Sequence, residues 1–161
     1  MIEVVKLHGR RAWDGHLIYI GRPSSYRGRG MNLSILGNPF IHKERYLRSG
    51  VSLVKDLPTA VWMFRRFLWL HLHQEGSSIG QAFWDLVETI RDNERHGSKT
   101  YLGCFCKPEA CHGDVLKAAI EKALGGWRPD TAQAEEARRL YREACETYIL
   151  RSGTIDDRWG R

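Results

Sequence analysis

The chain has 161 residues and a mass of 18.6 kDa, the size of one ordinary domain, with 42% hydrophobic and 27% charged residues. Disorder is excluded, and a normal core is within reach without staples. The net charge is +6, and the whole excess lies in residues 1–50, which hold nine basic and three acidic side chains. Such a segment points to an anionic partner, a nucleotide-like anion or a nucleic acid, against the alternative of a solvated basic surface.

Residues 2–7 (IEVVKL) are β-branched and apolar and read as a strand. His16–Ile20 reads as a second, after a polar turn from His8 to Gly15. From Arg22 to Asn38 the chain is rich in Gly, Ser and Arg, and Pro23, Gly28, Gly30, Gly37 and Pro39 forbid a regular element. A long irregular loop in a small domain is usually functional or mobile.

Thr59 after Pro58 is a cap for a helix to about His73, with Trp62, Met63, Phe67 and Leu70 on its buried side. Ser78 caps the next. Its Ile79, Ala82, Phe83, Leu86, Val87 and Ile90 recur at amphipathic spacing, opposite Asp85, Glu88, Arg91 and Asp92. Tyr101–Phe105 is a buried strand. A third helix runs from about Gly113 to the Gly125-Gly126 stop. The last spans about Asp130 to Leu150, with Ala134, Ala137, Leu140, Tyr141, Ala144 and Tyr148 inward and a mobile tail from Arg151 to Arg161.

Strands mixed with helices imply an α/β fold with a short, largely parallel sheet flanked by helices. The expected division is a core domain over residues 1–126 and a C-terminal helix and tail over 127–161. No segment is long and apolar enough for a membrane. The best, Val61–Leu72, is broken by Arg65 and Arg66 and falls short of the roughly 18–20 residues required. The N-terminus puts its apolar run before its charges, the wrong order for a signal peptide.

The densest chemistry lies between the third strand and third helix, in Cys104-Phe105-Cys106-Lys107-Pro108-Glu109-Ala110-Cys111-His112-Gly113-Asp114. Three cysteines so close together suit a local site in a reducing compartment, and so a cytoplasmic protein. Strand ends are where open α/β sheets place ligands, and three readings compete there. Cys104, Cys106, Cys111 and His112 supply a zinc-type ligand set, although C-x-C-x4-C-H departs from the usual spacing. Cys111, just before a helix, has the position of a reactive thiolate, with His112 as base and Asp114 as polar orienter. The helix start at Gly113, with Lys107, could instead cradle an anion, the cysteines then being packing residues. Cys145, in the last helix, is read as packing or surface.

These motifs resemble a known family. Tyr19-Ile20-Gly21-Arg22-Pro23, Leu36-Gly37-Asn38-Pro39-Phe40, Leu102-Gly103-Cys104-Phe105-Cys106-Lys107-Pro108 and Cys111-His112-Gly113-Asp114-Val115-Leu116 stand in the order found in the family described as domain of unknown function 4326. The resemblance covers about residues 2–124. It implies a compact α/β domain, a bacterial or phage source, and motifs that belong together, but no activity.

Outside the turn, Arg22 follows a strand and is placed to grip a phosphate or carboxylate, or to make a structural ion pair. Asn38 orients a ligand or makes an Asx turn. Tyr26, Arg27 and Arg29 interleave an aromatic with bases, as single-strand binders do. His71 and His73 read as helix-end residues. The aromatic helix around Trp62, Phe64, Phe67 and Trp69 is mostly core, with one or two side chains left for a protein partner or a second copy of the chain. The leading functional expectation is a small protein that binds or processes a nucleotide or related phosphorylated ligand. Cys111, His112 and Asp114 would be its catalytic groups, and Arg22, Asn38, Lys107 and Gly113 its ligand contacts. The alternatives are a zinc-stapled nucleic-acid-binding module, with zinc as the cofactor, and a phage-type adaptor.

Overall fold

The computed structural model describes residues 1–7, 13–23 and 30–153. The expected contacts of Tyr26, Arg27 and Arg29, most of the turn after the first strand, and residues 154–161 of the tail lie outside the described residues.

The chain divides into two compact units, Met1–Gly37 with Gln81–Arg128 and Asn38–Gly80 with Pro129–Arg161. The first holds a four-stranded sheet in the order β1-β6-β2-β3, from β1 (Ile2–Lys6), β2 (Gly15–Tyr19), β3 (Met31–Asn32) and β6 (Lys99–Cys104). Every neighbour pair in it is parallel. Central β6 is buried from Thr100 to Cys104, so it reads as an apolar run and not an alternation. Its register sets Lys6 beside Cys104 and Tyr19 beside Gly103, so three strands finish together at one end.

Helix α3 (His112–Leu124) packs on β1 and β6 and buries Leu116 and Ile120 completely. Each such side chain contributes about 1.5–3 kcal/mol. Helix α2 (Ser78–Arg95) adds Phe83, Leu86, Val87 and Ile90, all fully buried, as the amphipathic spacing requires. Near its end Asn93 donates to the Thr100 hydroxyl at 3.0 Å.

The second unit holds β4 (Phe40–Ile41), β5 (Ser52–Leu53) and β7 (Arg151–Ser152) as a small mixed sheet, with α1 (Leu57–His73) against α4 (Ala134–Tyr148). Among the described residues no helix is long and apolar enough to cross a membrane.

The structure is α/β with a short parallel sheet, as the sequence implies, but several details differ. The irregular stretch from Arg22 to Asn38 contains β3, which pairs with β2 through Ile18–Met31 and Tyr19–Asn32. Arg151 and Ser152, expected to be mobile, pair with β5, because the backbone groups of Leu53 and Val51 accept Leu150 N–H and Gly153 N–H at 2.8 and 3.0 Å. The cap of α1 is Asp56, whose carboxylate accepts Thr59 N–H at 2.8 Å. Pro58 sits inside the first turn, where its missing N–H costs nothing. At the start of α2 the capping hydroxyl is Ser77, bonded by Gly80 N–H at 3.1 Å. On α1, Trp62 is 38% exposed and Phe64 takes the buried place.

Candidate metal centre

Three segments of the first unit meet at the carboxyl end of β6. The strand ends on Cys104, residues 105–110 turn through a cis Lys107–Pro108 peptide, and α3 begins at His112 with Cys111 as its N-cap. Cys104 and Cys106, two residues apart, turn to the same side, with their sulfurs 3.2 Å apart. Cys111 has extended backbone angles and His112 is already helical, which swings two adjacent side chains toward one point. The sulfurs of Cys104 and Cys111 lie 3.9 and 3.8 Å from His112 Nδ1. All four donor atoms fall within 4.8 Å of one another. Cys104, Cys111 and His112 are buried, Cys106 is half-buried, and all are free of disulfides.

His112 is oriented from behind. Its Nε2 lies 2.8 Å from the Ile20 carbonyl. A carbonyl only accepts, so Nε2 carries a proton and Nδ1 is the ring nitrogen that faces the sulfurs. This is the usual second contact of a metal-bound histidine. Sequence reasoning missed Ile20, and no side-chain pattern could have marked it, because the contact is made by a strand-end carbonyl.

The electrostatics are those of crowded donors. Contact with Cys106 and Cys111 drives the Cys104 thiol well below its ordinary pKa, while Cys104, Cys106 and burial drive Cys111 far above its own. Burial alone would discharge His112, but the Cys104 and Cys106 sulfurs outweigh it and raise the ring to about 10. Three neighbouring thiols cannot all ionise without a cation to absorb the charge. A tetrahedral zinc site has sulfur–sulfur and sulfur–nitrogen edges of roughly 3.6–3.8 Å. The present separations bracket that range, so the four residues are close enough to hold a metal.

The remaining turn residues support this cluster. Asp114 accepts Cys111 N–H at 3.3 Å and Gly113 N–H points to Cys111 Sγ at 3.3 Å, a capping box with a sulfur in the usual hydroxyl position. Lys107 Nζ sits on Asp114 at 2.7 and 2.9 Å. Gly113 faces inward: a Cβ there would meet Val4 Cγ1 at 2.6 Å. Nearby, the Tyr19 hydroxyl donates to the Arg22 carbonyl at 2.7 Å, and Gly37 packs so closely on Arg22 that a Cβ would lie 2.8 Å from its backbone. The Gly-Arg motif and the first residue of the Gly-Asn-Pro motif therefore meet. Asn38 belongs to the second unit, where Oδ1 accepts Phe40 N–H at 2.9 Å and Nδ2 donates to Ala60 O at 3.2 Å. That is an Asx turn tied to α1. Phe105, expected as the last residue of the buried strand, instead lies beyond the strand end at Cys104, is exposed, and stands edge-on to Tyr19 at 6.2 Å.

The profile of the family described as domain of unknown function (DUF4326) matches residues 5–122. The chain belongs to the DUF4326 family. The match spans both Gly motifs, the cysteine turn and nearly all of α3, and stops short of α4. No curated protein and no solved structure matches the chain.

Proposed function

We propose that this DUF4326 chain is a zinc-stapled α/β module that binds nucleic acid through its basic N-terminal segment. The observation that carries the metal is the convergence of Cys104, Cys106, Cys111 and His112 donor atoms within 4.8 Å, with His112 fixed by Ile20. Four protein ligands close a tetrahedral shell, which fits a structural ion and leaves no position for substrate. Bound zinc would neutralise the thiolates and lock the end of β6 to the start of α3. Through His112 and Ile20 the same lock reaches the strand end that leads into Gly21-Arg22 and the basic stretch after it. The charge excess of residues 1–50 supplies the affinity for a polyanion.

A nucleotide-like ligand processed by Cys111, His112 and Asp114 is supported less well. The groups such a ligand would use are engaged within the chain: Lys107 by Asp114, Gly113 N–H by the Cys111 sulfur, and Cys111 N–H by Asp114. The test is metal content of protein purified without added metal, followed by chelation. Stoichiometric zinc is expected, with a melting temperature that drops on chelation. Nucleic-acid binding should weaken steeply with salt. Metal-free protein that melts at the same temperature with and without added zinc would overturn the metal; no binding at low salt would overturn the partner.

A further inference from the structure

In the second unit, α1 carries a feature unrelated to the cysteine turn. Trp62, Arg65, Arg66 and Trp69 line a cavity of about 280 Å³ on its outer side. Their spacing of three, four and seven residues sets them along one stripe of the helix, with the two indoles about 10 Å apart along the axis. Each indole is braced by a second ring: Trp62 by Tyr148 at 5.1 Å and Trp69 by His73 at 4.0 Å between centroids. The Arg66 guanidinium lies over the Trp62 ring at 5.1 Å. Arg66 also helps to hold the Glu136 carboxylate below its ordinary range, though Arg139 is the main cause. Arg65 is exposed and has no ion pair among the described residues, and α1 contains no acidic residue from Leu57 to His73. Core packing does not account for an exposed tryptophan one turn before two arginines.

We propose that this face of α1 is a binding surface for single-stranded nucleic acid, in which the indoles stack on bases and Arg65 contacts phosphate. Braced aromatic rings interleaved with guanidinium groups are the parts such surfaces use, because every base has a π-face and the backbone is anionic. The inference rests on the nucleic-acid half of the function above and not on the metal. The cavity has the volume to admit a base, and α1 itself adds no carboxylate to the stripe, while Glu136 of α4, near Arg66, is paired with Arg139.

The test is fluorescence anisotropy of a short labelled oligothymidylate against the full chain, in metal-replete buffer. Trp62→Ala is expected to weaken binding about tenfold. Arg65→Gln should weaken it less and lower the slope of log affinity against log salt by about one. Arg65 is exposed, so Arg65→Gln should melt with the parent; Trp62→Ala also removes the ring packed on Tyr148, so its binding is read well below its own melting temperature. If the parent binds and both variants bind equally well, this surface is wrong while the nucleic-acid reading stands. If the parent binds no oligonucleotide at low salt, both fall. Equal binding of a polyglutamate peptide would also overturn the proposal, since stacking would then play no part.

Discussion

At the β6–α3 turn, donors from a nine-residue stretch, Cys104–His112, bend inward to one buried point. Along α1, two indoles and two guanidiniums from an eight-residue stretch, Trp62–Trp69, line one cavity, Trp62 and Arg65 exposed and Arg66 and Trp69 half-buried. The first arrangement needs a strand end, a tight turn and a helix start to converge, and it gathers charge that the chain alone cannot neutralise. The second follows from helical spacing alone and is held by ring packing. The difference teaches which region a bound cation would serve: the turn gathers buried ionisable donors, and α1 is held by ring and core packing.

The strongest way to break that comparison is to remove a ligand. At free zinc a thousandfold above the dissociation constant, binding stabilises the fold by about 4 kcal/mol. For a chain of this size that is about 8–16 °C in melting temperature. His112→Ala should lose the zinc and that increment together, and chelation of the parent should have the same effect. Hydrogen exchange should then speed up in β6 and the first turn of α3, while amides in the middle of α1 keep their protection. Uniform loss across both regions would mean the metal supports more of the chain than the turn.

The cysteine cluster was legible as a candidate ligand set because its members are close in the chain, between a strand and a helix, but the sequence left three readings of that turn open. The C-x-C-x4-C-H spacing departs from the usual zinc pattern, and the change from extended to helical backbone between Cys111 and His112 is what turns both side chains to one point. The parallel sheet and the four helices followed from apolar runs, period and cap residues. The short strands β3, β4, β5 and β7 did not, since two residues carry no period. Trp62 was misplaced for a related reason. A helix aromatic on nearly every side has no clear apolar stripe, so only the partner helix decides which ring is buried.

A smaller effect tests whether the α1 region is self-sufficient. His71 is buried against Phe67 with Ser77 Oγ 2.8 Å from Nδ1, and burial lowers its pKa to about 4. The unfolded chain therefore takes up a proton near pH 6.5 that the folded chain refuses. The contribution is fully present above that pH and is lost as pH falls toward 4, by up to about 3 kcal/mol. Urea unfolding of zinc-loaded parent and His71→Gln from pH 7 to 4 isolates this contribution. The parent should lose more stability than the variant. Equal slopes would mean that His71 protonates in place.

Asp114→Asn has the smallest expected effect and sharpens the comparison most finely. Asparagine can still accept Cys111 N–H, but it gives up the charge facing Lys107 and the N-terminal end of the α3 dipole. The loss should be about 1 kcal/mol, in the range of a helix cap. Because Asp114 lies outside the four donors, zinc stoichiometry should stay at one. If Asp114 were instead part of a catalytic or ligand-binding group, the substitution would leave the melt almost unchanged and abolish turnover or binding of a nucleotide. A capping role and a chemical role at this carboxylate thus move different measurements, and the double contact with Lys107 favours the first.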